Sequence, residues 1–288
     1  MSDHRGPLLT LPIHTALLAA RHAGLSAIDC TLDLGRSTTT VQPDADGWHW
    51  NGRRFPFMET CKERTIYWWD GEGFATVSRF GQSLIKLVPT EWDAPTFEID
   101  GIKMLPTAQV SPYEDARRKV ALIQPQGKIV LDTCGGLGYF AAWCLQGGAR
   151  QVLSFEKNPD VIWLRRLNAW SPEHAEDGQG EPALRLSEGD VAQRITELPS
   201  GSMDAALHDP PRFGIAGELY SQKFYDQLAR VLRKGGRMFH YTGTPNRLTS
   251  RRDVPNEVAT RLQRAGFTTT LEGDGVLAIL QPPRQRGG

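Results

Sequence analysis

The sequence predicts an α/β protein: a doubly wound, mostly parallel seven-stranded sheet ending in an antiparallel hairpin, preceded by a small β-rich N-terminal domain. Three observations point there. From Tyr113 onward, apolar runs of strand length alternate with stretches of helical periodicity. A glycine-rich turn, Gly135-Gly136-Leu137-Gly138, separates an apolar strand from a helix. Before residue 110 the rhythm differs, with short, aromatic-rich, alternating runs broken by Asn-Gly and Asp-Gly pairs. The domain boundary is therefore drawn at 1–110 and 111–288.

In the first domain, residues 11–24 carry apolar side chains at helical spacing and end on Gly24, so a short helix is expected. Trp48 and Trp50 precede Asn51-Gly52, a pair that tolerates the positive φ angles of a type I′ hairpin. The run 66–69 leads through Asp70-Gly71-Glu72-Gly73 into 74–80, and 96–99 leads through Asp100-Gly101 into 102–105. The tryptophans read best as cross-strand pairs and core, with base stacking or a lid over substrate as the functional alternative. The β-rich region is also a candidate homodimer surface. In the second domain the order is helix 114–123, strand 128–133, helix 139–146, strand 151–156 and helix 160–169. Strands 184–186 and 203–208 follow, then helix 221–232, strand 237–242 and helix 256–264. Two closing strands, 267–271 and 276–280, flank Glu272-Gly273-Asp274-Gly275, and 171–182 reads as an exposed loop. Strands alternating with helices imply a sheet covered on both faces.

Of the 288 residues, 40% are hydrophobic and 23% charged, which suits a chain with a sizeable core. No apolar run reaches the roughly 18 residues that span a bilayer. Met1-Ser2-Asp3-His4-Arg5 opens no signal-peptide pattern, so a cytoplasmic protein without membrane association is expected. Lys+Arg and Asp+Glu are each 33, giving zero net charge, whereas a protein built to hold a phosphate backbone usually carries positive excess. Neutrality weakens the nucleic-acid class but is silent about local patches. Cys30, Cys61, Cys134 and Cys144 are too few and scattered for a disulfide framework or zinc site, and no metal is expected.

The chemistry collects at successive strand ends. A strand that turns sharply into a helix while its backbone approaches a ligand needs glycine, which Gly135, Gly136 and Gly138 supply. Asp132 just before the turn suits a cationic amino-acid ligand better than a pyrophosphate. Glu156 ends the second strand, where a carboxylate can accept both hydroxyls of a ribose, and Lys157 follows it. After the third strand, Asp190 is placed to accept from an adenine amino group or to cap a helix, with Val191 beside it. The fourth strand delivers His208-Asp209-Pro210-Pro211-Arg212-Phe213, a carboxylate on a proline-stiffened loop. In an open α/β sheet these ends converge on one crevice.

With these residues in place, 113–280 resembles the class I, Rossmann-like S-adenosylmethionine-dependent methyltransferases. The resemblance implies a first motif of Asp132 and the three glycines, with Cys134 inside it. It further implies a ribose acid at Glu156, an adenine-side acid at Asp190, and a fourth motif at Asp209-Pro210-Pro211. Asp-Pro-Pro followed by an aromatic is similar to methyltransferases acting on amino or amide nitrogens, although here Arg212 intervenes and Phe213 comes one place late. A second resemblance, to spermidine synthases, extends further. It rests on the N-terminal β region, Ile99-Asp100-Gly101, Tyr113-Glu114, Glu218-Leu219-Tyr220 and Phe224-Tyr225. Those enzymes carry an acid where this chain has Leu137, and a second aspartate where it has Arg212. A guanidinium beside the reacting amine would oppose polyamine binding by on the order of 1–4 kcal/mol, and suits an anionic substrate feature instead. As a whole the chain is similar to uncharacterised predicted methyltransferases with a His-Asp-Pro-Pro-Arg-Phe motif.

The resemblance implies S-adenosylmethionine as co-substrate and a nitrogen-bearing acceptor that is a small molecule, a peptide or RNA. Asp209 is expected to hold or deprotonate the acceptor, with His208, Arg212 and Tyr241 as helpers and His240 at a neighbouring strand end. Two alternatives stay open: an aminopropyltransferase of the spermidine synthase type, and a non-catalytic nucleotide-binding regulator.

Overall fold

The computed structural model describes residues 6–173, 183–243 and 253–282. Expected loop 171–182 therefore lies outside the described residues from 174 onward. The chain divides into two compact units, 1–115 with 163–171, and 116–162 with 172–288.

The first unit is built from three small antiparallel sheets and the helix Leu11–His22. Pro12 suits the first turn of that helix, where its missing N–H costs nothing. The chain leaves the helix through Gly24, at φ 64°. The hairpin of Gly47–Trp50 and Arg53–Pro56 turns on Asn51 and Gly52, both at positive φ as the I′ geometry requires. Trp48 is fully buried and stacks on Phe55 at 4.6 Å between ring centroids. Leu9, Leu17, Val41 and Tyr67 complete the core around it. The aromatic alternation is thus a packing pattern, with large rings compensating for short strands.

The second unit carries a seven-stranded sheet. Its strands are β1 (Ile129–Asp132), β2 (Gln151–Glu156), β3 (Leu184–Glu188), β4 (Met203–His208), β5 (Leu232–Tyr241), β6 (Phe267–Glu272) and β7 (Gly275–Leu280). The spatial order is β3-β2-β1-β4-β5-β7-β6. All neighbours are parallel as far as β5; β7 runs antiparallel to both β5 and β6. Helices α1 (Pro112–Ile123), α2 (Tyr139–Gln146), α3 (Pro159–Leu167), α4 (Gln222–Val231) and α5 (Val254–Arg264) alternate with the strands. Leu131, Ala206, Met238 and Ala278 are fully buried and share one core with Tyr225, Leu228 and Leu262 from α4 and α5. Ser221 caps α4, its hydroxyl accepting from the Phe224 amide at 3.2 Å.

The sequence places the fifth strand at 237–242, but its ladder starts earlier and is interrupted. Leu232 pairs with Met203 and Arg237 with Ala205, so four residues, Arg233 to Gly236, face the single residue Asp204. The glycines explain the excursion. Gly235 has φ 79°, and a Cβ on Gly236 would meet the Arg233 carbonyl at 2.7 Å. Among the described residues, no helix is long and apolar enough to cross a membrane.

Candidate active site

The reversal of strand order falls between β1 and β4, where an open α/β sheet forms its ligand crevice at the carboxyl ends. The glycine-rich turn occupies that place. Gly136 and Gly138 have φ of 49° and 81°, angles at which a Cβ is strained, and Gly138 leads directly into α2. The Gly135 amide donates to the Phe155 carbonyl at 2.7 Å, tying the turn to β2.

Glu156 ends β2 against this turn. One carboxylate oxygen accepts from the Gly136 amide at 2.9 Å and the other from the Asn158 amide at 2.8 Å. A carboxylate offers about four acceptor positions, of which these amides take two. Asp132 is buried and accepts from the Ser154 hydroxyl at 2.8 Å, one strand away. Leu137, in the position where spermidine synthases are expected to hold an acid, is also buried. Burial pushes the Cys134 thiol well above its ordinary value, so the sulfur sits in the turn as a small neutral group.

Asp190 plays the capping part foreseen for it. It precedes the short helix Val191–Arg194, accepting from the Ala192 amide at 2.9 Å and from the Lys157 ammonium at 2.8 Å. Partial burial raises its pKa, but these two donors outweigh that and hold the carboxyl below its ordinary value. The same pair raises Lys157.

The fourth strand end is organised differently from expectation. His208 is buried, its Nε2 lying 3.1 Å from the Leu219 carbonyl and its Nδ1 2.7 Å from the Thr133 hydroxyl. A carbonyl can only accept, so Nε2 carries the proton and Nδ1 accepts. Burial lowers this imidazole to about 4. His240, in register beside it, donates from Nδ1 to the Tyr241 carbonyl and accepts from the Tyr225 hydroxyl at 3.0 Å. The two rings lie 4.4 Å apart, and burial together with His208 holds His240 well below its ordinary value. Both are neutral wedges between strand ends with each ring nitrogen already bonded.

Asp209 projects beyond this layer with its side chain 18% exposed. Its partner was not legible as a functional residue. Lys119 of α1 is 1% exposed, and its ammonium lies 3.4 Å from the Asp209 carboxylate and 3.7 Å above the Tyr241 ring. In the run Arg117-Arg118-Lys119 it resembles a solvated charged face. The available signal was helical spacing: Ala116 and Ile123, three before and four after it, are both buried. The Asp209 loop continues through exposed Arg212 and Phe213, and the Tyr220 hydroxyl donates to the Pro211 carbonyl at 3.2 Å. Phe213 packs edge-on against Tyr220 at 5.4 Å. The structure therefore brings Asp209, Tyr241 and Lys119 together, and separately Glu156 with the glycine turn and Lys157 with Asp190.

The chain is 40% identical over 213 residues to the uncharacterized protein MJ1233 of Methanocaldococcus jannaschii, covering 73% of this chain and 70% of that one. It belongs to the same family. No protein-family model matches the chain. Polyamine aminopropyltransferase 2 of Streptomyces coelicolor is 29% identical over 148 residues, which is 50% of this chain and 26% of that protein. In structure, a spermidine synthase in complex with the transition state analogue AdoDATO superimposes with a TM-score of 0.54 at 14% identity. That match covers 70% of this chain and 72% of the other, and it shows the fold, a Rossmann-like, mostly parallel sheet. Among the described residues, no group of three or more His, Cys, Asp or Glu side chains is arranged to hold a metal ion.

Proposed function

We propose that this chain is an S-adenosylmethionine-dependent methyltransferase acting on a nitrogen-bearing acceptor. The residues at the strand ends fit that co-substrate. A turn with two positive-φ glycines lets backbone approach the ligand, Glu156 sits where ribose hydroxyls would be accepted, and Lys157 with Asp190 flanks the adenine side. S-adenosylmethionine supplies an electrophilic methyl group on a sulfonium sulfur, so transfer requires mainly a positioned nucleophile with a free electron pair.

The chain's own part centres on Asp209. Its carboxylate accepts a hydrogen bond from the acceptor N–H, fixing the nitrogen, and provides a place for the departing proton. Lys119 supplies the countercharge that holds Asp209 in one position, and it is itself held over Tyr241. Tyr220 fixes the following loop through Pro211, leaving Arg212 and Phe213 to meet the acceptor.

The observation that carries methyl over aminopropyl transfer is the buried Lys119 ammonium 3.4 Å from Asp209. A polyamine site needs unpaired acids facing a polycation. Here the fourth-strand acid has a cation against it, and Arg212 adds a second three residues on. The aminopropyltransferase reading keeps two supports: the 29% identity over 148 residues to polyamine aminopropyltransferase 2, and the fold likeness to a spermidine synthase across 70% of the chain. Calorimetric titration with S-adenosylmethionine and its decarboxylated form separates the two. Preference for the decarboxylated ligand, with aminopropyl transfer to an amine, would overturn the methyltransferase reading.

A further inference from the structure

At the opposite end of the same sheet, where β1, β2 and β4 begin, lies an open groove of about 340 Å³. Its charged lining is Lys128, Arg150, Arg233 and Lys234 against one acid, Asp204. That acid is already committed: one oxygen accepts from the Ile129 amide at 2.8 Å, and the other pairs with Arg233. The groove lining thus carries four cations against one acid, which also acts on Lys128, in a chain whose net charge is zero. The remaining lining is Gly127, Gly235 and Gly236, so no aromatic or aliphatic side chain among the described residues offers a surface for a base or an apolar ligand.

The backbone is shaped to present these charges. Four residues leave the β4–β5 ladder opposite Asp204, and among them Arg233 and Lys234 are exposed. Arg233 is anchored by donating from Nε to the Gly201 carbonyl at 2.9 Å, and Lys128 by donating to the Ile123 carbonyl at 2.8 Å. Arg237 lies close enough to act on Lys128. Burial, and next the charge of Arg237, hold the Lys128 ammonium below its ordinary value. Like charges crowded in this way lower their mutual repulsion when an anion enters.

We propose that this groove is an anion site for phosphate groups, separate from the transfer site and distinct from the S-adenosylmethionine crevice. Guanidinium forks and ammonium point charges around a polar hollow match the several charged oxygens of a phosphate. The lack of any stacking surface means that the phosphate is recognised and an attached base is not. The source is then either a small polyphosphate or the backbone of a single-stranded RNA.

Fluorescence anisotropy on the full chain tests this, using a labelled RNA of about 20 nucleotides at roughly 50 mM salt, with tripolyphosphate as a second probe measured by calorimetry. The pair Arg150→Glu and Lys234→Glu, both exposed, should weaken whichever probe binds by at least about tenfold. The milder pair Arg150→Gln and Lys234→Gln should lower the slope of log affinity against log salt by about 1.4 for RNA, near 0.7 for each phosphate that is no longer neutralised. S-adenosylmethionine affinity should stay within about twofold in both variants, which separates failure here from failure of the methyltransferase reading. Binding of tripolyphosphate alone identifies a small-anion site, and binding of RNA identifies a backbone site. Binding of neither probe, or binding unchanged in both charge variants, overturns the proposal.

Discussion

Replacing Glu156 by Gln tests the ribose assignment at its most exacting point. Both carboxylate oxygens accept from backbone amides, Gly136 at 2.9 Å and Asn158 at 2.8 Å. Glutamine keeps the shape but turns one acceptor into a donor. Either orientation of its amide therefore points an NH₂ at a backbone N–H, in the glycine turn or at the start of α3. Leaving such a group unsatisfied costs about 1–3 kcal/mol. On the ligand side, a hydrogen bond from a ribose hydroxyl to a charged carboxylate contributes about 1.5–3 kcal/mol. Loss of one such bond predicts affinity weaker by roughly 10- to 150-fold. Calorimetry with S-adenosylhomocysteine reads this without turnover, and urea unfolding reads the apo penalty separately. An affinity within about twofold of the parent protein would refute the assignment of Glu156 to the ribose.

Three further outcomes are expected. Asp209→Asn should lower methyl transfer by about 10²- to 10⁴-fold, as loss of a general base does, with S-adenosylmethionine affinity nearly unchanged; equal turnover would remove Asp209 from the mechanism. Lys119→Met should destabilise the fold by about 2–4 kcal/mol in urea, since it strands a partly buried carboxylate. The Asp209→Asn background should then recover at least about 1 kcal/mol of that loss, well inside the Coulomb ceiling near 5 kcal/mol at 3.4 Å. Finally, His208 has a folded pKa of about 4 against an ordinary 6.5, so the unfolded chain binds the extra proton. Stability is whole above pH 6.5 and is lost as pH falls toward 4, by about 3 kcal/mol in all. His208→Asn should flatten that acid limb in pH-dependent urea titrations; an unchanged limb would place the imidazole's burial in doubt.

The parts of the fold that follow from local periodicity were legible in the sequence. Helix α2 and strands β2 and β4 run over the residues that the pattern predicts, because α2 is an apolar run between Gly138 and Gly147 and the two strands are short, largely apolar runs. The start of β5 was not legible. Leu232 reads as the end of α4, and only the Met203 partner across the sheet makes it a strand residue. Nor does a one-dimensional pattern show which histidine nitrogens are occupied. His208, beside a motif acid, and His240, at a neighbouring strand end, read as helpers, while the Thr133, Leu219 and Tyr225 groups that engage them come from three other segments.

Charge was the property that the sum over the sequence hid most completely. Equal numbers of acids and bases, 33 of each, weigh against any polyanion partner only if the two signs are mixed in space. In the second unit they are sorted along the strands. Asp132, Glu156, Asp190 and Asp209 stand at or just beyond the carboxyl ends, whereas Lys128, Arg150, Arg233 and Lys234 gather where strands begin. On the proposed reading the sorting has a physical reason at the first end, where an acid in the crevice would accept the hydroxyls and amines of the co-substrate. Two cations stand among these acids: Lys157, 2.8 Å from Asp190, and Lys119, 3.4 Å from Asp209. On the proposed methyltransferase reading, the buried Lys119 ammonium opposes the binding of a second cation, such as a polyamine, beside Asp209.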